Sequence, residues 1–471
     1  MWIPFSQSEL MSPGKKIKTI TLSGAGLVGS LLAIYLSKRG YDVRIFERRP
    51  DMRKNRMAAG RSINLALSDR GWRGLEGAGI AGEIRKVAIA MKGRTIHHPG
   101  NTTAFQPYGM EGQAIYSVSR GGLNCVMMDL AEKHGARIFF EERCTHVDLQ
   151  SSTAIFENNL THRQTEERPD VLIGSDGAFS AVRLALQMTD RFEYSQHYLE
   201  HGYKELTIDA GDNGGFRLEK NSLHIWPRGG YMLIALPNMD GSFTCTLFFP
   251  FSGDPSFESL HDKKEVRKFF DEVFPDASAM MPTLEEQFFS NPTGSLVTVR
   301  CFPWSYSDNV MLIGDAAHAI VPFYGQGMNC GFEDCTVLNK LLDEHDDDWS
   351  RVIPVFQEER KRAADGIAEL AVQNFIEMRD LVGDPRFLLR KKIEAAFFKK
   401  HPDRWMPLYS MVTFSDLPYN LALDAGKKQD VIMDQVMALP DIENRWESDD
   451  TEKFILAKID GYKKVVSGDL Q

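Results

Sequence analysis

The sequence predicts an α/β fold in three parts. A Rossmann-type domain covers 17–195 and 292–348, an antiparallel β-sheet domain is inserted at 196–291, and a C-terminal helical region spans 349–471. Three observations carry this reading. Near the start, an apolar strand runs through GAGLVG into a helix and a second strand. Between Tyr203 and Phe249 the pattern shortens to β-rich segments separated by turn residues, and after Asn329 it is largely helical.

Composition narrows the class. At 471 residues the chain exceeds one ordinary core, and 43% apolar with 25% charged residues describes a globular protein. A net charge of -10 weighs against nucleic acid, whose phosphates want a basic face. The six cysteines form no CxxC pair and read as free thiols of a reducing compartment, with no metal. No run of about 18 apolar residues occurs. The polar start shows no signal-peptide core, and Met11 competes with Met1 as the natural start. A cytoplasmic protein without a membrane anchor is expected.

In chain order, Lys16 to Ser23 reads as a buried strand, followed by Gly24-Ala25-Gly26-Leu27-Val28-Gly29, a helix over Ser30 to Lys38 and a strand over Tyr41 to Phe46 that ends at Glu47. Gly24 allows the tight turn, Gly26 lets a pyrophosphate approach the backbone, and Gly29 packs helix on strand. Glu47, 21 positions after Gly26, suits ribose hydroxyls. NAD and FAD both fit this unit.

Arg48 to Asp69, rich in Arg, Gly and Asn, reads as a long irregular functional loop. A helix starts within Val118 to Asn124 and runs to about His134 before the strand Arg137 to Phe140; Arg120 at its start is a surface charge or a cofactor contact. Asp170 to Arg183 is a strand, an Asp176-Gly177 turn and a helix, readable as a plain connection capped by Ser175 or Asp176. YKELTI, LHIW, YMLIAL and FTCTLFF then build the inserted sheet, a natural substrate wall, and a helix returns over Asp262 to Phe274. The strand Ser295 to Cys301 leads back to the first domain. Helices are expected over Gly331 to Leu342, Val352 to Asp380 and Phe387 to Phe398.

The most informative stretch is Ile313 to Asn329, IGDAAHAIVPFYGQGMN. An acid leaving a buried strand, followed by a glycine-lined helix start, can hold a sugar hydroxyl and a phosphate together. Glycine-acid sites at Glu47, Asp176 and Asp315 together describe one dinucleotide. His318 invites an acid-base role, although its place just after Asp315 favours a structural one.

GAGLVGSLLA, FERRPDMR, GRSINLALSDRG, MKGRTIHHPG, LIGSDGAFSAVR, HGYKEL, LHIWPRGGYMLIALPN, GDAAHAIVPFYGQGMNCGFED and PLYSMVTFSDLPY carry a resemblance from about residue 20 to about residue 420. The chain resembles the single-component FAD-dependent aromatic hydroxylases of the para-hydroxybenzoate hydroxylase fold, and within them the kynurenine hydroxylases. The resemblance makes the discontinuous Rossmann unit the FAD-binding domain and the inserted sheet the substrate-binding domain. It implies FAD contacts at Gly24, Gly26, Gly29, Glu47, Arg48, Ala66, Arg120, Asp176, Asp315, Met328 and Asn329. Arg94 and Tyr108 are implied to meet the carboxylate of L-kynurenine, with Asn374 and Tyr409 reaching in. Leu223, Ile234, Leu236 and Phe248 would line its ring, and Pro322, Phe323, Tyr324 and Gly325 would form the loop at the flavin edge, with Pro322 and Phe323 facing substrate.

From the residues alone, Arg94 reads as a surface charge. An arginine nevertheless suits a buried carboxylate because it offers two parallel charge-assisted hydrogen bonds. The resemblance implies that NADPH reduces bound FAD and that molecular oxygen reaches the substrate ring through a flavin 4a-hydroperoxide, in tryptophan degradation. No dedicated catalytic residue is assigned. NADPH finds no second glycine motif between strand and helix and is expected near the flavin. Monomer and homodimer both stay open. Two departures from the family pattern stand out: Tyr324 where bacterial relatives often read PFHGQGMN, and no counterpart of the C-terminal membrane anchor of eukaryotic members. A phenol-type hydroxylase and a flavin sensor without turnover are the alternatives. The former leaves the Arg94, Tyr108, Asn374, Tyr409 set unexplained; the latter needs no substrate site.

Overall fold

VLIG and VML are continuous apolar runs, and with TITLS and DVRIFE, whose few polar residues interrupt mostly buried strands, they form the centre of one sheet. In the computed structural model, which describes residues 18–54, 63–100, 102–381 and 384–468, these strands lie in a six-stranded sheet. Its order is Ser305–Tyr306, Val310–Leu312, Val171–Gly174, Thr19–Ser23, Asp42–Glu47, Arg137–Phe140. All neighbours are parallel except the first pair. Leu27–Lys38 and Gly327–Glu344 pack against each other and on this sheet, sharing its apolar core.

The second large sheet has seven strands in the order Thr293–Phe302, Glu193–Ile208, Phe243–Pro250, Met232–Pro237, Ser222–Pro227, Gly93–His97, Thr103–Pro107. Two features differ from the sequence reading. The sheet is mixed, because Gly93–His97 runs parallel to Ser222–Pro227, and it draws strands from outside 196–291 at both edges. These long-range pairings leave no local mark. Alternation of side chains gives the sheet two apolar faces. Leu223, Ile225, Met232, Leu236 and Phe248 join one core, while Trp226, Leu233, Ala235, Cys245, Leu247 and Phe249 pack on Lys263–Val273 and its neighbours in another. That helix starts at a complete capping box of Asp262 and Glu265.

The polar stretch after Arg48 is not one loop. Asn64–Leu67 forms a strand beside Ile115–Ser119, and Asp69–Gly77 is a helix. Residues 55–62 of that stretch, both candidate start methionines, the beginning of the strand expected from Lys16 and the last three residues lie outside the described residues. The C-terminal part is helical over Trp349–Ile376, Pro385–Lys400, Leu408–Phe414, Tyr419–Met437 and Asp449–Gly468. The long pattern expected to Asp380 ends instead at Ile376 in a π-helical turn, Glu377–Leu381. Among the described residues no helix is long and apolar enough to cross a membrane.

Candidate functional site

The glycine turn behaves as its spacing requires. Gly24 has φ +104° and donates its N–H to the Phe46 carbonyl at 2.8 Å; a side chain there would meet the Ser175 carbonyl at 2.7 Å. At Gly29 a Cβ would lie 2.2 Å from the Gly24 carbonyl oxygen. Gly26, which caps the helix Leu27–Lys38, has nothing within 4 Å of such a Cβ and faces open space. Two glycines therefore serve the turn, and the third leaves room for a ligand.

Glu47 is buried at the end of its strand. It accepts from the Ala25 N–H at 2.9 Å and from the backbone N–H and Nε of Arg49 at 2.9 and 2.8 Å. Burial would raise its carboxyl, but the Arg49 contacts outweigh this and hold it below the usual value. Arg49 was not singled out in the sequence, and its place two residues after Glu47 was the available signal. Arg48 and Arg120 are exposed.

Asp176 follows the strand Val171–Gly174. Its Oδ2 accepts from the Ala181 N–H at 2.7 Å, while its buried Oδ1 has no partner among the described residues. Burial pushes its carboxyl above the ordinary value. The N-cap of the helix Ala181–Gln187 is Ser180, with Asp176 accepting the helix's first N–H; Ser175 instead donates to the Ser23 and Gly24 carbonyls. An orphaned acceptor beside the glycine turn fits a hydroxyl-rich dinucleotide. Asp315 opens the short helix Asp315–His318 with its side chain exposed, after Gly314 at φ +61°. Met328 and Asn329 lie in the first turn of Gly327–Glu344. The Asn329 side chain accepts from the Ser68 N–H and donates to the carbonyls of Ala66 and Gly325 at 2.8 and 2.7 Å. Ala66, Gly325 and Asn329 are thus brought together, with the asparagine fastening the edge rather than presenting a free amide.

The proposed substrate residues converge on one face of the seven-stranded sheet. Leu223, Leu236, Phe248, Phe323 and Tyr324 are buried in one apolar cluster, with Ile234 and Tyr409 packed against it. Arg94 pairs across the strands with Leu223. It is 6% exposed, so the reading of a surface charge is corrected: the strand is paired on both sides, and alternation along it turns Arg94 inward. Its guanidinium lies 4.7 Å from the Tyr409 ring centroid and 5.5 Å from that of Tyr108, within cation–π range. No carboxylate among the described residues forms an ion pair with it, and Glu377 acts on it only through space. The Arg94 Nε and the Tyr108 hydroxyl are both buried without hydrogen-bond partners among the described residues. Burial alone would lower the guanidinium, but Tyr108 and Tyr409 more than reverse this.

Tyr108 and Tyr409 stack at 5.2 Å and 11°, and Tyr409 and Tyr324 at 5.6 Å and 15°. Asn374 donates to the Phe323 carbonyl at 2.7 Å and to the Met378 sulfur at 3.2 Å, so its amide nitrogen holds the loop. Phe323 stacks on Phe375 at 4.1 Å, and Pro322–Tyr324 form a single 3-10 turn closed by Gly325 at φ +65°.

His318 is structural. Its Nε2 lies 2.6 Å from Asp334 Oδ2, whose other oxygen accepts from Arg360 Nε at 2.6 Å. Arg360 and Arg70 also share Glu333, at 2.7 and 2.5 Å. Burial would lower the His318 imidazole, but Asp334 outweighs it and holds it well above the usual histidine value. Cys330 completes a cluster of metal-ligating types, yet Asp334 is already shared between two cations. Only the distant partners, spread from Arg70 to Arg360, hid this network in the sequence.

Comparison with known proteins follows the same lines. The model of the family described as FAD binding domain matches residues 18–371. A kynurenine 3-monooxygenase of Christiangramia forsetii is 52% identical over 445 residues, covering 94% of this chain and 99% of that relative. One from Flavobacterium johnsoniae is 53% identical over 437 residues, covering 93% and 98%. The tetrameric form of 2-methyl-3-hydroxypyridine-5-carboxylic acid oxygenase superposes with a TM-score of 0.64 at 18% identity, covering 83% of this chain and 99% of that one, a likeness of fold.

Proposed function

This chain belongs to the kynurenine 3-monooxygenase family of FAD-binding proteins, and from that premise we propose how its residues place one oxygen atom on the aromatic ring of L-kynurenine. The chain is a FAD-dependent monooxygenase. The observation that carries the substrate reading is Arg94, a buried guanidinium with aromatic rings around it and no carboxylate among the described residues paired with it. A buried cation without a counterion is costly, and a zwitterionic aryl amino acid supplies both the missing anion and a ring for the adjoining apolar wall.

The glycine turn with Gly26 open, Asp176 with its unpaired oxygen, and exposed Asp315 would hold FAD. When bound, FAD supplies the redox chemistry, taking two electrons from NADPH and activating dioxygen, so that one oxygen atom enters the substrate and the other leaves as water. The protein's own work is orientation and exclusion of water. Arg94 and the Tyr108 hydroxyl receive the substrate carboxylate. Leu223, Ile234, Leu236 and Phe248 fix the ring plane. Phe323 and Tyr324, held by Asn374 and Tyr409, close the loop over it. No residue need move a proton for this positioning.

The test is NADPH oxidation by the purified yellow protein. L-Kynurenine should accelerate it strongly and yield a product heavier by one oxygen atom. Acceleration by a simple phenol with none by kynurenine defeats the substrate reading.

A further inference from the structure

Arg70 stands in the first turn of the helix Asp69–Gly77, just after the strand that carries Ala66, and its side chain is fully buried. Its ion pair with Glu333 uses Nη1 alone. The rest of the guanidinium turns to the C-terminal region. Nε donates to the Val412 carbonyl at 2.8 Å, and Nη2 donates to the carbonyls of Met411, at 3.3 Å, and of Leu417. The guanidinium carbon lies 4.0 Å from the ring centroid of Tyr419, whose hydroxyl donates to Gln326 Oε1 at 3.0 Å. One turn further along the same helix, exposed Arg73 donates through Nη2 to the Ser415 carbonyl at 2.6 Å.

The positions of these acceptors give the contacts a purpose. Met411 and Val412 lie in the last turn of Leu408–Phe414, where carbonyls have no N–H ahead of them in the helix. The Ser415 hydroxyl reaches Met411 at 2.6 Å, and Arg70 supplies a donor to both. A guanidinium at this end also meets the negative pole of the helix dipole. The Leu417 carbonyl lies just before Pro418, which opens the helix Tyr419–Met437. One side chain therefore closes the end of one helix and holds the start of the next. The first turn of that same seven-residue helix carries Tyr409, whose ring stacks on Tyr108 and Tyr324 and bounds Arg94. Two turns of helix leave little slack between the capped end and the ring.

We infer that Arg70, with Arg73 beside it, is a positioning residue for substrate: it caps the helix Leu408–Phe414 from the flavin-binding side of the molecule and so sets the Tyr409 ring against Arg94. That the ring faces L-kynurenine rests on the function proposed above. Lysine cannot take over, because a point charge cannot serve Glu333 and three carbonyls spread around a planar fork. The carboxylate anchor and the order of the C-terminal helices are thereby linked through one guanidinium.

The experiment uses the FAD-loaded full chain and takes two readings on Arg70→Lys. Without substrate, amide deuterium exchange in Leu408–Phe414 should quicken about 10-fold or more, while the central strand Val171–Gly174 stays protected. With L-kynurenine, KM should rise about 5-fold or more and kcat change less than about 2-fold, and in a Tyr409→Ala background the same substitution should move KM less than about 2-fold. A purely structural arginine would raise KM equally in both backgrounds, and that result overturns the positioning role, as does an unchanged KM. Unchanged exchange overturns the cap. If Arg70→Lys yields no FAD-loaded protein, Arg73→Ala takes its place with the same readings: quicker exchange, with a KM rise of about 2-fold or more that vanishes without the Tyr409 ring, sustains the inference, and the absence of either overturns it. Should L-kynurenine fail to stimulate the unaltered protein, the substrate reading falls, and the exchange measurement alone decides the cap.

Discussion

Arg94 lies with its guanidinium carbon 4.7 Å from the ring centroid of Tyr409, so the cation of the pocket is bounded by π-faces rather than neutralised. Arg94→Ala should weaken L-kynurenine binding by about 2 to 4 kcal/mol, the cost of stranding a buried charged partner, with flavin content unchanged. Arg94→Lys should recover little, because a point charge cannot reproduce two parallel hydrogen bonds. Equilibrium titration of kynurenine against the flavin spectrum checks both. Loss of flavin from Arg94→Ala would reassign the arginine to the cofactor.

The second and third glycines of GAGLVG make opposite predictions. Gly29→Ala places a Cβ 2.2 Å from the Gly24 carbonyl oxygen and should disrupt the turn itself, lowering the stability of the flavin-free protein. Gly26→Ala meets no protein atom within 4 Å and has an ordinary φ of -69°. That variant should fold with unchanged apo stability yet bind FAD at least ~10-fold more weakly, equivalent to about 1.4 kcal/mol. Thermal unfolding of the apo proteins and flavin titration separate the two cases.

These glycines show what kind of structure is legible in a chain. The turn, its helix and Glu47 lie within thirty residues, and their pattern is local, so spacing alone identifies them. The recruitment of Gly93–His97 into the seven-stranded sheet is a pairing with Ser222–Pro227, more than a hundred residues away, and nothing near Arg94 announces it. Arg94 therefore reads as a surface charge until the sheet is assembled. The strand Asn64–Leu67 was hidden for another reason: it lies in a polar stretch and is fastened by Asn329, a side chain from the far end of the domain. Asn374 was legible as a pocket residue by resemblance, but its hydrogen bond to the Phe323 carbonyl depends on how a late helix docks on the loop.

His318 carries a pH signature. Its imidazole is held well above the usual value of about 6.5, chiefly by Asp334 against the opposing effect of burial. A raised pKa means that the folded state keeps a proton which the unfolded state releases. The stabilisation is thus complete below about pH 6.5 and is lost as pH rises toward the folded value, at up to about 1.4 kcal/mol per unit. His318→Asn should destabilise by about 3 to 5 kcal/mol, the cost of breaking a buried pair, and should flatten this alkaline decline. Urea midpoints measured from pH 6 to pH 9 test it. A kcat profile that shifts while the midpoints do not would assign His318 to the chemistry instead.

Tyr324 closes the stack of three tyrosines from the loop side. Its ring lies 5.6 Å from that of Tyr409, stacked at 15°. The ring rather than the hydroxyl therefore does the positioning. Tyr324→Phe should leave KM for L-kynurenine within about 2-fold, because the stacking survives. Tyr324→Ala removes a contact worth about 0.5 to 1.5 kcal/mol and should raise KM roughly 2- to 12-fold. It should also admit water to the pocket, so that more hydrogen peroxide appears per NADPH consumed. Peroxide yield and product yield measured on the same sample give the ratio. If Tyr324→Phe uncouples as strongly as Tyr324→Ala, the hydroxyl is the working group.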